Sequence, residues 1–507
     1  MVLSGSDMGR TYTVCPVCLK RIPAFREEKN GEIMLVKTCP EHGRFSSVIW
    51  RNKVDFKKWR GDRPPVGENE NLNCPTGCGL CPDHKRATCC TLLSVTDRCN
   101  MNCKFCFADH AGAKDPDIET VKKWIDDLTD PGKTLLQLSG GEPTVRDDLP
   151  EIVAYARQAG CKYVQLNSNG LRLAQDEAFV QSLASAGLSF VFMQFDGVTD
   201  DVYENLRRRP MLEIKKQAIE NCGRYGIGVT LVPVIVPGVN TEQIGDIIRF
   251  AVMRSPYVRG VHFQPVSYFG RIPALPEDKD RYTLDELMDA VVKQTGGMVE
   301  PENLAPSCCD HPMCGFHGDF IVMPDMSLFA LTKYSGEQED ADCCCGTNPA
   351  EKNREFVGRR WLRRDQDKEE ASCCCESAAE ESSCCCGSAV QEESSCCCKA
   401  PKEEENVSCC CEGNSVTEVD ITSMEGFLKR AKSHGFTITS MAFQDAGNLD
   451  IERLRQCSLH VYKDGKHIPF CAYYLSPVSA ENRTENDKRL FSPDEGHESR
   501  TEKGAHK

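Results

Sequence analysis

The run Thr91-Leu-Leu-Ser-Val-Thr96, continued by Asp97-Arg98-Cys99-Asn-Met-Asn-Cys103-Lys-Phe105-Cys106-Phe107, decides how this chain reads. Its first six residues suit a buried strand, and the three cysteines that follow are spaced C-x3-C-x2-C. Thiolates this close can each take one iron of a cubic iron–sulfur cluster, and no fourth thiolate lies within the run. One iron then stays open for a substrate or cofactor. About 33 residues after Cys106 a second strand-like run ends in Ser139-Gly140-Gly141-Glu142-Pro143. A structural zinc knuckle is the alternative, but zinc needs a fourth ligand and leaves the Gly-Gly-Glu unexplained.

The two motifs together resemble the radical S-adenosylmethionine (SAM) superfamily. The resemblance implies that Cys99, Cys103 and Cys106 hold a 4Fe-4S cluster whose open iron is chelated by SAM. It also implies a 5'-deoxyadenosyl radical that takes hydrogen from carbon, with electrons from a low-potential donor of the ferredoxin or flavodoxin type. Glu142 would then offer its carboxylate to the SAM ammonium, with Gly140 and Gly141 letting the backbone approach closely.

At 507 residues, 40% hydrophobic and 27% charged, the chain has the composition of a soluble protein of two or three modules. It has no apolar run near the roughly 20 residues of a membrane span and no signal-peptide pattern, so a cytoplasmic location is expected. Its 33 cysteines therefore read as reduced ligands for metals or clusters. The net charge of -15 argues against a nucleic-acid partner.

Residues 1–70 form a small module with Cys15-Pro-Val-Cys18 and, after the strand-like Ile33–Lys37, Cys39-Pro-Glu-His42. This pattern resembles a rubredoxin or zinc-ribbon site for one iron or zinc ion, with His42 or a distant residue as fourth ligand. Residues 71–90 carry Cys74-Pro-Thr-Gly-Cys78-Gly-Leu-Cys81, a second C-x3-C-x2-C. It sits in a Gly/Pro-rich loop with no strand before it. It reads as an auxiliary cluster or zinc site, the fourth ligand being open among His84, Cys89, Cys90 and residues farther away.

From 91 to 296 strand-like and helix-like runs alternate. Strands are expected at 91–96, 135–139, 163–167, 190–194, 229–236 and 261–265, with helices near 118–128, 149–159, 176–186, 213–225, 241–254 and 283–295. Six β/α units imply a partial (β/α)6 barrel, an α/β fold with its site at the carboxyl ends of the strands. Those ends carry Asn167-Ser168-Asn169-Gly170, Gln194 and Asp196 as candidate cofactor contacts, although an Asn-Gly turn or a helix cap would look alike. Phe105 is placed to pack on the cofactor, and Val229–Asn240 to line its adenine. His262 and Gln264 read equally well as pocket or core residues. Cys161 and Cys222 read as ordinary buried thiols.

Beyond the barrel come Cys308-Cys309-Asp310-His311-Pro312-Met313-Cys314 (297–335) and, in a C-terminal α/β element at 417–480, Cys457 and Cys471. With Cys-Gly-Leu-Cys-x-x-His-Lys, Gln-Phe-Asp-Gly, Phe-Gln-Pro-Val and Pro-Phe-Cys, these resemble the group of archaeal tetraether lipid synthases and hydroxymethylpterin dimethyltransferases. That resemblance implies a second auxiliary cluster on Cys314, Cys457, Cys471 and Cys308 or Cys309. It also implies reaction at an unactivated carbon of a small-molecule or lipid substrate, by carbon–carbon coupling or methyl transfer. A peptide or cofactor maturase, and a non-catalytic electron carrier or metal store, remain as alternatives.

Residues 336–416 depart from that group. Cys-Cys-Cys recurs there five times among Glu, Ser, Ala and Lys, from 343–345 to 409–411. So little apolar surface predicts a disordered insert, and 481–507 a disordered tail.

Overall fold

The computed structural model describes residues 8–61, 74–75, 79–107, 115–270, 276–336, 348–363 and 423–477. The amino-terminal module is an antiparallel meander of β1 (Arg10–Val14), β2 (Arg21–Lys29), β3 (Glu32–Cys39) and β4 (Gly43–Trp50).

The main sheet starts with β5 (Cys90–Thr96), followed by β6 (Leu135–Gly140), β7 (Tyr163–Ser168), β8 (Phe190–Gln194), β9 (Gly228–Val232) with the short β10 (Val234–Ile235), and β11 (Val258–Pro265). From β5 through β9 to β11 each strand pairs in parallel with the next in sequence, as alternating β/α units require. The predicted strands are all present. The helices follow at 118–128, 149–158, 177–185, 212–224, 244–252 and 284–295. Local chemistry explains their ends. Asp117 caps the first by accepting from the Thr120 amide, while Val121, Ile125 and Leu128 turn its apolar stripe to the core. Thr283 and Glu286 form a capping box on the last, which stops at the left-handed Gly296.

After the barrel come β12 (Ala305–Pro306), β13 (Phe316–Val322) and β14 (Leu328–Ala330), then β15 (Gly435–Ser440), β16 (Leu459–Lys463) and β17 (Lys466–Pro469). The carboxy-terminal element joins the main sheet at both edges. β15 pairs in parallel with β11, and β16 pairs in parallel with β5 at the opposite end. The six expected strands therefore gain a parallel neighbour on each side, and β13 continues the sheet antiparallel to β15.

One expectation is corrected. Within 336–416, Pro349–Trp361 is a helix with Ala350, Arg354, Val357 and Trp361 buried. Trp361 and Val357 share an apolar cluster with Leu135, Tyr163 and Phe190, the first residues of β6, β7 and β8, so the helix plugs the amino-terminal end of the barrel. The Trp361 indole donates to Thr437 Oγ1 at 3.0 Å. Period and charge hid this helix, because its sequence is mostly polar and its few large residues are spent on one plug. The five Cys triplets and 481–507 lie outside the described residues. Among the described residues, no helix is long and apolar enough to cross a membrane.

Candidate active site

Cys99, Cys103 and Cys106 follow β5 directly and line one end of a cavity of about 620 Å³ inside the barrel. Their loop is pinned from three sides. The Asn169 side chain donates to Asn100 at 2.7 Å, the Lys104 amide donates to Leu206 O at 3.1 Å, and Arg98 pairs with Asp115. Gly140 and Gly141 are required by this same loop. A Cβ on Gly140 would lie 2.1 Å from Thr96 O, and one on Gly141 would lie 2.2 Å from Arg98 O. The amides of Gly141 and Glu142 donate to those two carbonyls, so the Gly-Gly-Glu turn is the seat of the cysteine loop as well as part of the cavity wall.

Glu142 is 2% exposed and already well supplied with donors. Its oxygens accept from Ser168 Oγ at 2.8 Å, Thr144 Oγ1 at 2.7 Å and the Asn169 amide at 2.6 Å. Burial raises its pKa, and these bonds oppose the rise. Phe105, Asn167, Ser168, Asn169 and Gln194 all line the cavity, as do Val232 and Val234 of the predicted adenine wall. His262 and Gln264 prove to be pocket residues.

Asp196 does not line it, which corrects its place among the cofactor contacts. It is fully buried, bonded through both oxygens to Arg207 at 2.7 Å each, and accepts the Val234 amide at 3.2 Å. Its partner Arg207 is the residue that reaches the cavity. Sequence reading missed Arg207, and a basic residue on the helix following a strand-end Asp was the available signal. Lys215 was missed as well. Its ammonium donates to Asn169 O at 2.5 Å behind the cavity, and burial lowers its pKa to about 8.

The other cysteines separate into sets. Cys15, Cys18, Cys39 and His42 bring one donor atom each within 4.8 Å of one another, as a single tetrahedral ion needs. The structure thus brings His42 to the position of fourth donor. Cys314, Cys457 and Cys471 lie close enough to interact electrostatically, and Cys74 shares an apolar cluster with Cys457 and Cys471. Cys309 instead turns to Cys89 and to Asp310, 3.2 Å away, while Cys308 is exposed. His84 Nε2 donates to the Cys457 carbonyl oxygen at 2.7 Å, toward the carboxy-terminal element. Cys78 lies outside the described residues. Cys161 and Cys222 are buried, and burial pushes Cys222 up to about 12.

Whether the barrel cysteines suit an iron–sulfur cluster can be judged from their donor set. Cys99 feels both other thiols, and all three face the cavity. Among the described residues, however, only the amino-terminal set is compact enough for a single ion. Three wider-spaced sulfurs at a cavity mouth fit a cluster with one exposed iron.

The comparisons with known proteins agree with this geometry. The Radical SAM superfamily profile matches residues 93–251, and an HMPTM N-terminal zinc ribbon domain matches residues 8–51. The chain is 32% identical over 498 residues to the 7,8-dihydro-6-hydroxymethylpterin dimethyltransferase of Methanocaldococcus jannaschii, covering 92% of this chain and 93% of that one. It is 31% identical over 212 residues to the Fe-coproporphyrin III synthase of Methanosarcina barkeri, covering 40% of this chain and 50% of that protein. Among solved structures, Streptococcus suis SuiB bound to S-adenosylmethionine matches 40% of this chain and 46% of its own, at 15% identity and a TM-score of 0.33. The near full-length match decides the matter: this chain is a radical SAM enzyme and belongs to the family of the 7,8-dihydro-6-hydroxymethylpterin dimethyltransferases.

Proposed function

We propose that this enzyme methylates an unreactive carbon of a pterin-like ring. The near full-length similarity to a pterin dimethyltransferase carries this reading.

Cys99, Cys103 and Cys106 are the residues that would hold the 4Fe-4S cluster. With SAM bound there and one electron from a low-potential donor, such a cluster would supply a 5'-deoxyadenosyl radical for hydrogen abstraction, with methionine released. The protein's own part is positional. Glu142, fixed by Ser168, Thr144 and Asn169, holds the Gly-Gly turn against the cysteine loop and presents a buried carboxylate at the cavity wall. Arg207, oriented by Asp196, brings a cation to the same end of the cavity. Asn167 and Gln194 offer hydrogen bonds at the strand ends, and Phe192 and Trp361 give the cavity an aromatic wall.

Cys15, Cys18, Cys39 and His42 are assigned to one zinc ion, because three thiolates and an imidazole are a usual structural-zinc set. Cys314, Cys457 and Cys471 are assigned to one auxiliary cluster, and Cys74, Cys78 and Cys81 to another. A low-potential donor of the ferredoxin or flavodoxin type and a cytoplasmic location complete the reading.

The test is anaerobic reconstitution with dithionite and SAM. The protein should form 5'-deoxyadenosine, and with 7,8-dihydro-6-hydroxymethylpterin and a one-carbon donor, excess SAM or a reduced one-carbon carrier, it should form a product heavier by one or two methyl groups. Replacement of Cys99, Cys103 and Cys106 by Ala should abolish both. Turnover of SAM by the triple variant would overturn the site. SAM cleavage by the unaltered protein without pterin methylation would overturn the substrate.

A further inference from the structure

The cavity wall built by β11, β15 and β13 carries a polar row. In the register of β11, β15 and β13, His262 pairs with Thr439 and Thr439 pairs with His317. All three line the cavity, and Gln264 stands two residues along β11 on the same face.

The hydrogen bonds of this row suit one tautomer of His262. The Thr439 hydroxyl lies 3.5 Å from the Val261 carbonyl oxygen, which can take its proton. Its oxygen lies 2.9 Å from His262 Nδ1 and can then accept the ring hydrogen from that nitrogen. Nε2 makes no hydrogen bond to the described residues. Burial lowers the His262 pKa to about 4, so the ring stays neutral under assay conditions. The Phe192 ring lies beside it, with centroids 5.4 Å apart and planes tilted by 37°, and is backed in turn by Trp361 at 4.7 Å.

We propose that His262, with its ring hydrogen on Nδ1, is the specificity-determining acceptor of the cavity, its Nε2 taking a ring N–H of a flat nitrogen heterocycle that lies against Phe192. This rests on the pterin reading and adds to it the residue that selects the ring. An alkyl chain has no N–H to give and would bury Nε2 unsatisfied, which disfavours binding. A pterin satisfies the acceptor and gives Phe192 a π-face to meet. His262 is a positioning residue for the substrate.

Binding to the reconstituted full-length protein with SAM present tests this. The probes are 7,8-dihydro-6-hydroxymethylpterin and its ring-N-methylated analogues. The unaltered protein should bind the parent about ten-fold more tightly than the analogue blocked at the contacting nitrogen. His262→Leu should weaken the parent by about ten-fold and lose that preference. His262→Gln, which restores an acceptor oxygen, should recover most of both. Should His262→Leu fail to fold, Thr439→Val releases the Nδ1 hydrogen bond while leaving the ring in place, and a several-fold loss of affinity is expected. Undiminished discrimination in His262→Leu, or unchanged affinity in Thr439→Val, would overturn the assignment while leaving the pterin reading standing. Failure of the unaltered protein to bind any pterin would overturn that reading and the ligand class named here with it.

Discussion

Asp196 and Arg207 form a bidentate ion pair, 2.7 Å at both contacts, with side chains 0% and 4% exposed. The carboxylate that stands at the end of β8 like a ligand is spent on aiming a guanidinium at the cavity. Two charges this deep are stable only together, since either alone would lack its counter-charge in a low-dielectric interior.

Arg207→Met should therefore destabilise the fold by about 3–5 kcal/mol, because Asp196 is left buried and unpaired. The double variant Asp196→Asn/Arg207→Met should regain more than half of that loss. Urea unfolding under anaerobic conditions measures both, and equal losses in the single and double variants would show that the pair is not coupled.

The amino-terminal site should hold one zinc per chain. Cys15→Ser should remove that zinc, measured by elemental analysis, and leave the iron content of the reconstituted protein unchanged. The four donors belong to one short meander, and its loss leaves the barrel cysteines in place. Loss of iron together with zinc would mean that the meander holds the barrel site together.

Acid should loosen the contact between the meander and the carboxy-terminal element. Glu452 accepts from Arg26 at 2.6 Å and Arg60 at 2.8 Å and meets His311 at 3.3 Å. Burial opposes ionisation of Glu452, but His311, Arg26 and Arg60 outweigh it and hold the carboxyl well below the usual range. A carboxyl depressed in the folded state contributes stability that is complete above the unfolded value of about 4.3 and fades as pH falls toward the folded one. Unfolding midpoints should fall from pH 6 to pH 3, with this group adding at most about 1.4 kcal/mol per pH unit. Glu452→Gln should be less stable at pH 6 and show a flatter slope; an unchanged slope would remove Glu452 from the effect.

Most of the segment between Arg363 and Ser423 should be replaceable. Arg360 donates to Ala431 O at 3.2 Å, so the plug helix ends beside the far end of helix Met424–Ser433. The gap to Ser423 is then about one ten-residue helix, roughly 15 Å at 1.5 Å per residue. A Gly/Ser linker of about ten residues in place of 366–420 should keep SAM cleavage and the melting temperature within a few degrees. Loss of cluster iron in that variant would show that a triplet cysteine is a ligand.

The sequence by itself determined the six β/α units and the thiol spacing. Leu135–Gly140 and Ile118–Leu128 are legible because a buried strand's apolar run, a 3.6-residue stripe and a capping Asp117 are properties of neighbouring residues. Only the tertiary structure decided the rest. β15 and β16 lie within one short stretch of chain yet pair at opposite edges of the sheet, because each free edge needs a partner and local pattern does not say which. Asp196 reads from sequence as a ligand until Arg207, on the following helix, takes both its oxygens. The mostly polar Pro349–Trp361 becomes a helix because Trp361 finds the open end of the barrel. In each case the deciding energy is burial and pairing between residues distant in sequence, to which the local periodicity of the chain is blind.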